Sequence, residues 1–467
     1  MNPWYRQLGF FLMVGSAAPV FGWGSYGHQQ INRAAVQLLE ESGSDLGKCL
    51  AHHRKFLQRL AITPDYDWKV VGQEPQDLAL RHERAENDRY EHPLHFFEAD
   101  AFVSPLWTLG SFVGEYQTVL PQLKKALAVN ADEVEKIDPE KKITDKQNPT
   151  DVDVSTHGSA PWRIVQLNRL AQGQLDQVKQ ASDLTHGLFF FGANGHYQGD
   201  MSQPFHATLD FDGKSVNAVG IHHAFEEGIL EAAAHAKKAM RGPDGLFDSF
   251  AATEGGVMTV ARQKWVSTQD SLSDDELLSA VFALVQSTHS YIAPLEEQYI
   301  AAVKAVDDGS HKVLKDPGMS RALFAKYMDL KLGGAEHGQA TVLEAAETLM
   351  GASAALVAMQ WNTSYEAAKK NNPALESAMK DCVGAPEINF SLADAIHWYP
   401  KPEYLPVDAQ ASDHRSNRPG SAHDPIHYPP SGNGHPGTGT LTPPPPTPPS
   451  GTPVKPIKKK RGPRTPV

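Results

Sequence analysis

Cysteine is almost absent from this chain: only Cys49 and Cys382 occur among 467 residues. One bridge is therefore open to it, but a disulfide scaffold is excluded. The sequence alone leaves open whether the two approach each other. Alternating runs of β-branched residues are also scarce, which argues against an extensive sheet. No segment after the first 22 residues reads as long and apolar enough to be transmembrane. Excess positive charge is missing too. The net charge of −12 argues against a general nucleic-acid coat but not against an enzyme acting locally on nucleic acid.

What is present in quantity is apolar residue, at 40%, enough for a sizeable core, and histidine, with 21 copies. Apolar residues recur at helical spacing: Ile31, Ala34, Ala35, Leu38 and Leu39, then Val119 to Val129, then Ile164 to Leu175. The stretch from Leu188 leads into a helix carrying His196 and Asp200. Further helices are expected over 224–240, 274–306, 320–332 and 340–370, with long loops around 62–112 and 130–160. The expected fold class is all-α, a multi-helix globular domain.

The two ends differ from the middle. Arg6 followed by the apolar stretch Leu8 to Phe21 reads as a signal peptide over 1–22, with cleavage after Gly22 exposing Trp23. This implies a secreted or periplasmic protein with a domain over 23–405. Residues 406–467 hold 16 of the 34 prolines, and eight Lys or Arg against three Asp. That composition cannot bury a core, so a disordered Pro-rich C-terminal tail is expected. Its basic cluster, Lys458 to Arg461, offers weak contact with an anionic surface, and a solvated spacer is the plainer reading. No stable protein partner is implied.

The chemistry concentrates in Gly195-His196-Tyr197-Gln198-Gly199-Asp200-Met201-Ser202-Gln203-Pro204-Phe205-His206. His196 and Asp200 are one helical turn apart, so imidazole and carboxylate share a face. Both bind zinc at about 2.0–2.2 Å. Pro204 ends the helix and lets His206 return toward the same cavity. His222 and Glu226 repeat the spacing, as do His223 and Glu227 one register on, and spacing cannot choose between them. Upstream lie Trp23 and His28, then Asp65 and Asp67, then His95, with His82 and His92 as competitors. A freed Trp23 amine and its own carbonyl could chelate a metal, since an α-amine titrates near ~7.7–8.0.

In order and spelling, these motifs resemble the superfamily of zinc-dependent phospholipases C and single-strand-specific zinc nucleases, from about Trp23 to Leu230. The resemblance implies three zinc ions. Asp65, His95, His196 and Asp200 would hold the first; His206, His222 and Glu226 the second. The Trp23 amine and carbonyl with His28 would hold the third, bridged by Asp200. Asp65 would also be the catalytic residue, orienting water or accepting its proton. Tyr66 would line a substrate pocket, where its ring could hold a quaternary ammonium. The phospholipase C-like activity on a phospholipid headgroup is the expected one, supported by Glu226. The alternative is a nuclease releasing 5′-nucleotides from single-stranded nucleic acid, supported by the close Trp23-to-His28 spacing. A third expectation, a non-catalytic zinc-stabilised surface module, would bind zinc without cutting any phosphodiester.

Overall fold

The computed structural model describes residues 23–405, apart from 71–74, 105–106, 140, 144–145, 239–240, 243–245, 266–271, 310–312 and 335–336. The expected signal peptide and Pro-rich tail lie outside the described residues. Among those residues there is no strand, only isolated bridges, and the domain is all-α.

Its helices of six residues or more run in chain order. The first four are α1 Gly24–Glu41, α2 Asp45–His52, α3 Arg54–Leu60 and α4 Leu78–Glu91. Next come α5 Tyr116–Ile137, α6 Ala160–Leu175, α7 Thr185–Met201 and α8 Ile229–Ala236. Then follow α9 Glu254–Lys264, α10 Asp274–His289, α11 Ile292–Val306 and α12 Pro317–Met328. The last three are α13 Val342–Asn371, α14 Ala374–Cys382 and α15 Leu392–His397.

The centre is α7, which is buried all round from Gly187 to Met201, with an apolar first half and Asn194, His196, Gln198 and Asp200 in its second. It packs against α6, α3, α1 and α13. Glycines let α1 come close. A Cβ at Gly195 would lie 1.9 Å from Asn32 Oδ1, and one at Gly199 would lie 2.8 Å from His28 Nδ1. Asn32 uses that proximity, donating to the Leu57 and Gly192 carbonyls at 2.9 Å each, which locks α1, α3 and α7 together.

The longest helix, α13, begins with a reciprocal cap between Thr341 and Glu344. By length and composition it could cross a membrane, contrary to the sequence reading. Two thirds of that apolar stretch is buried inside the domain, against α1, α6, α7 and α9.

Two other expectations change. Residues 62–112 are not one loop, because α4 crosses them. Its sequence, LALRHERAENDRYE, lacks an apolar stripe; its inward face is polar, made of Arg84, Asn87, Asp88 and Glu91. The single helix expected over 274–306 breaks into α10 and α11 around Ser290 and Tyr291. Pro294 has no N–H to return to the preceding turn. Cys49 and Cys382 form a disulfide, tying α2 to α14. His53 lies beside both sulfurs, but the bond between them removes the thiolates a metal would need.

Candidate metal centre

Seven segments deliver the candidate ligands. His28 projects from α1, and His196 and Asp200 from α7. Asp65 and Glu226 both sit on π-helical turns, Pro64–Trp68 and Ala224–Gly228, the kind of local widening that recurs at functional sites. His95 follows the short turn His92–Leu94 that closes α4. His206 ends the turn Pro204–His206, and the backbone joins these two regions: Phe97 N–H donates to the His206 carbonyl at 3.0 Å. Gly220, at φ 92°, starts the turn Ile221–His223 that presents His222, and Asp212 accepts the Gly220 N–H at 2.8 Å.

The side chains converge. His196 Nε2 lies 3.2 Å from Asp200 Oδ2, 2.9 Å from His95 Nδ1 and 3.7 Å from Asp65 Oδ2. His28 stacks on His196 with ring centroids 3.9 Å apart, and its Nε2 is 3.4 Å from Asp200 Oδ1. His206 Nε2 is 3.9 Å from Glu226 Oε2, and His222 Nε2 is 2.7 Å from the same oxygen. Three groups result whose ligand atoms lie within 4.8 Å of one another. They are His28 with His196 and Asp200; Asp65 with His95 and His196; and His206 with His222 and Glu226. Asp200 touches the first two groups and lies 3.8 Å from His206 Nδ1.

Geometry separates the competing residues. Asp67 turns away to Arg59, which grips both its oxygens at 2.7 and 2.8 Å. His223 pairs with Glu227 at 3.6 Å and packs edge-on against Phe324, outside all three groups. His82 and His92 are exposed, and His92 lies against Phe96. Trp23 is fully buried; its indole donates to Ser202 Oγ at 2.8 Å, and its carbonyl accepts the Gly27 N–H at 3.0 Å. The residue before it lies outside the described residues.

The donor set fits a divalent cation. Both ring nitrogens of His28 and His222, His206 Nε2, Asp200 Oδ1 and Glu226 Oε1 are buried without a well-aligned hydrogen bond. Burial without compensation is costly for such atoms. Burial pushes His28 down to about 4, with His196 adding to it, and His222 down to about 3. Both imidazoles are therefore neutral with lone pairs free, as ligation requires. Burial also pushes Glu226 up to about 8, a carboxyl in want of positive charge. Burial opposes the charge on Asp200, but His196 and His206 outweigh it and hold the carboxyl well below its ordinary value. Asp65 is likewise desolvated yet lowered, by Lys69 and then His196 and His95; Lys69 Nζ is 2.9 Å from Oδ1.

Three contacts escaped the sequence reading. Lys69 and Glu91 each stand one turn from a candidate ligand, Asp65 and His95, at the same spacing that marked His196 and Asp200. Gln203 Nε2 donates to Glu226 Oε2 at 3.3 Å. Tyr66, next to Asp65, donates or accepts with Ser25 Oγ at 2.6 Å, and the Arg241 guanidinium lies over its ring, 5.5 Å from the centroid. Comparison with family models, with curated proteins and with solved structures finds no match to this chain.

Proposed function

We propose that the protein is an exported zinc-dependent phosphodiester hydrolase. The observation that carries this reading is the convergence of buried imidazoles and carboxylates into three adjoining groups, two of which hold nitrogens and oxygens with no well-aligned hydrogen bond. Asp65, His95, His196 and Asp200 would hold one ion, and His206, His222 and Glu226 another. The Trp23 amine and carbonyl with His28 and Asp200 would hold a third. Neutral imidazoles with carboxylates are a zinc donor set. When bound, zinc supplies Lewis acidity toward phosphoryl oxygens and water. Asp65, kept charged by Lys69, would orient the attacking water and accept its proton. Export rests on the residues before Trp23, and the basic tail would add weak attachment to an anionic surface.

The substrate turns on Tyr66. A quaternary ammonium headgroup would need the Tyr66 face, and Arg241 already lies over it. The guanidinium thus occupies the face that a choline group would need. This favours the second reading, single-stranded nucleic acid, over a phosphatidylcholine-type lipid. The experiment presents zinc-loaded protein beginning at Trp23 with phosphatidylcholine vesicles and with single-stranded DNA. Release of 5′-nucleotides with intact lipid supports the nuclease reading; release of phosphocholine with intact DNA restores the phospholipase one. Zinc binding with neither product would leave the non-catalytic module.

A further inference from the structure

We propose that Glu91 is the positioning residue of the metal centre, fixing His95 so that Nδ1 faces the ion, and that a caged arginine, Arg163, fixes Glu91. This rests on the metal-dependent reading above. Glu91 is the last residue of α4 and is fully buried. Its Oε1 lies 3.0 Å from His95 Nε2. The opposite nitrogen, Nδ1, lies 3.0 Å from Asp200 Oδ2 and 3.6 Å from Asp65 Oδ1. A carboxylate has no proton to give, so with a cation between Nδ1 and the Asp200 and Asp65 carboxylates the ring hydrogen sits on Nε2, toward Glu91. A carboxylate behind a ligating imidazole sets its ring orientation and raises its basicity.

The same carboxylate is held from two further sides. Tyr197, beside His196 on α7, donates its hydroxyl to Oε1. Arg163 Nη2 lies 3.6 Å from Oε2. Arg163 is itself fully buried, with the Trp68, Tyr197 and Tyr399 rings 5.6, 5.5 and 5.2 Å from its guanidinium carbon. It also donates to the Pro400 carbonyl, so the end of the domain is tied to the site's supporting layer. Three side chains thus converge on one carboxylate which, among the described residues, meets the candidate metal groups through His95.

The test titrates zinc, then cobalt(II), into metal-depleted wild type and Glu91→Gln, recording affinity, cobalt absorption and thermal melting. Glu91→Gln is expected to weaken zinc by roughly 10–100-fold, the usual cost of losing such a partner, and to shift the cobalt bands. Should Glu91→Gln fail to fold, Tyr197→Phe, which removes one donor to Glu91 and keeps the ring, is expected to shift the same bands with a smaller loss of affinity. A variant that melts lower but keeps wild-type affinity and bands would make Glu91 purely structural and overturn the proposal. Wild type that binds no zinc would overturn the metal reading itself, and the proposal with it.

Discussion

Asp65 and Asp67 stand two residues apart on one π-helical turn, and their surroundings give them opposite tasks. Asp65 faces His95 and His196, whereas Asp67 is gripped by Arg59. Asp65→Asn should cut the hydrolysis rate by about 10²–10⁴, the range for a lost proton acceptor, and lower zinc content. Asp67→Asn should leave zinc content unchanged and lower stability by about 1 kcal/mol, the scale of a weakened hydrogen bond. Metal analysis and melting of both variants check the pair; zinc loss in Asp67→Asn with none in Asp65→Asn would reverse the assignment. The His196–Asp200 pairing was legible in the sequence because helical spacing puts four-apart residues on one face. Spacing could not choose between His222 with Glu226 and His223 with Glu227, because both registers have the same one; the resemblance chose the first pair, which is the one gathered with His206. Glu91 stayed hidden because α4 carries a polar inward face and so shows no apolar period.

Helix packing sets how tightly the ligands can gather. At Gly199, on α7, an added methyl would meet His28 Nδ1 at 2.8 Å, so His28 and His196 could not stack as they do. Gly199→Ala should lower stability by about 1–3 kcal/mol, as overpacking does, and lower zinc content, since His28 is a proposed ligand. Unchanged melting and zinc content would mean that α1 and α7 adjust freely. The contact between α9 and α13 offers a pH test away from the metals. Glu347 packs beside Gly256, where a Cβ would lie 1.9 Å from Oε2, and burial pushes its carboxyl up to about 7, with Glu344 adding to it. Its folded value lies above its unfolded one. Its contribution to stability is therefore complete below about pH 4.5 and is lost as pH rises through about 7. Glu347→Gln should match wild type near pH 4.5 and exceed it at pH 8 by on the order of 1–2 kcal/mol, discounted for partial exposure. Melting curves across that range check it; parallel curves would contradict it. Most helices were legible from their apolar period, while the break between α10 and α11 was not, because the apolar pattern runs on through it.

Across the whole molecule, the domain is bound by one long-range bridge and one shared core. The Cys49–Cys382 disulfide spans a sequence separation of 333 residues; with two cysteines one bridge was open, but whether they approach depends on where α2 and α14 meet. Replacing Cys382 with Ser should lower stability by roughly 2–5 kcal/mol, seen as a lower melting temperature, while zinc content stays the same. Loss of zinc in that variant would mean that the centre depends on the far end of the domain. The all-α class was legible because neither alternation nor disulfide density competed with the helical period. The most direct test of the central claim is the zinc stoichiometry of the purified protein beginning at Trp23, measured by atomic emission beside His196→Ala. Three zinc ions per chain are predicted, one for each ligand group, with loss of metal in His196→Ala. A folded wild-type protein that retains no zinc, or a His196→Ala variant that retains all of it, would contradict the metal centre.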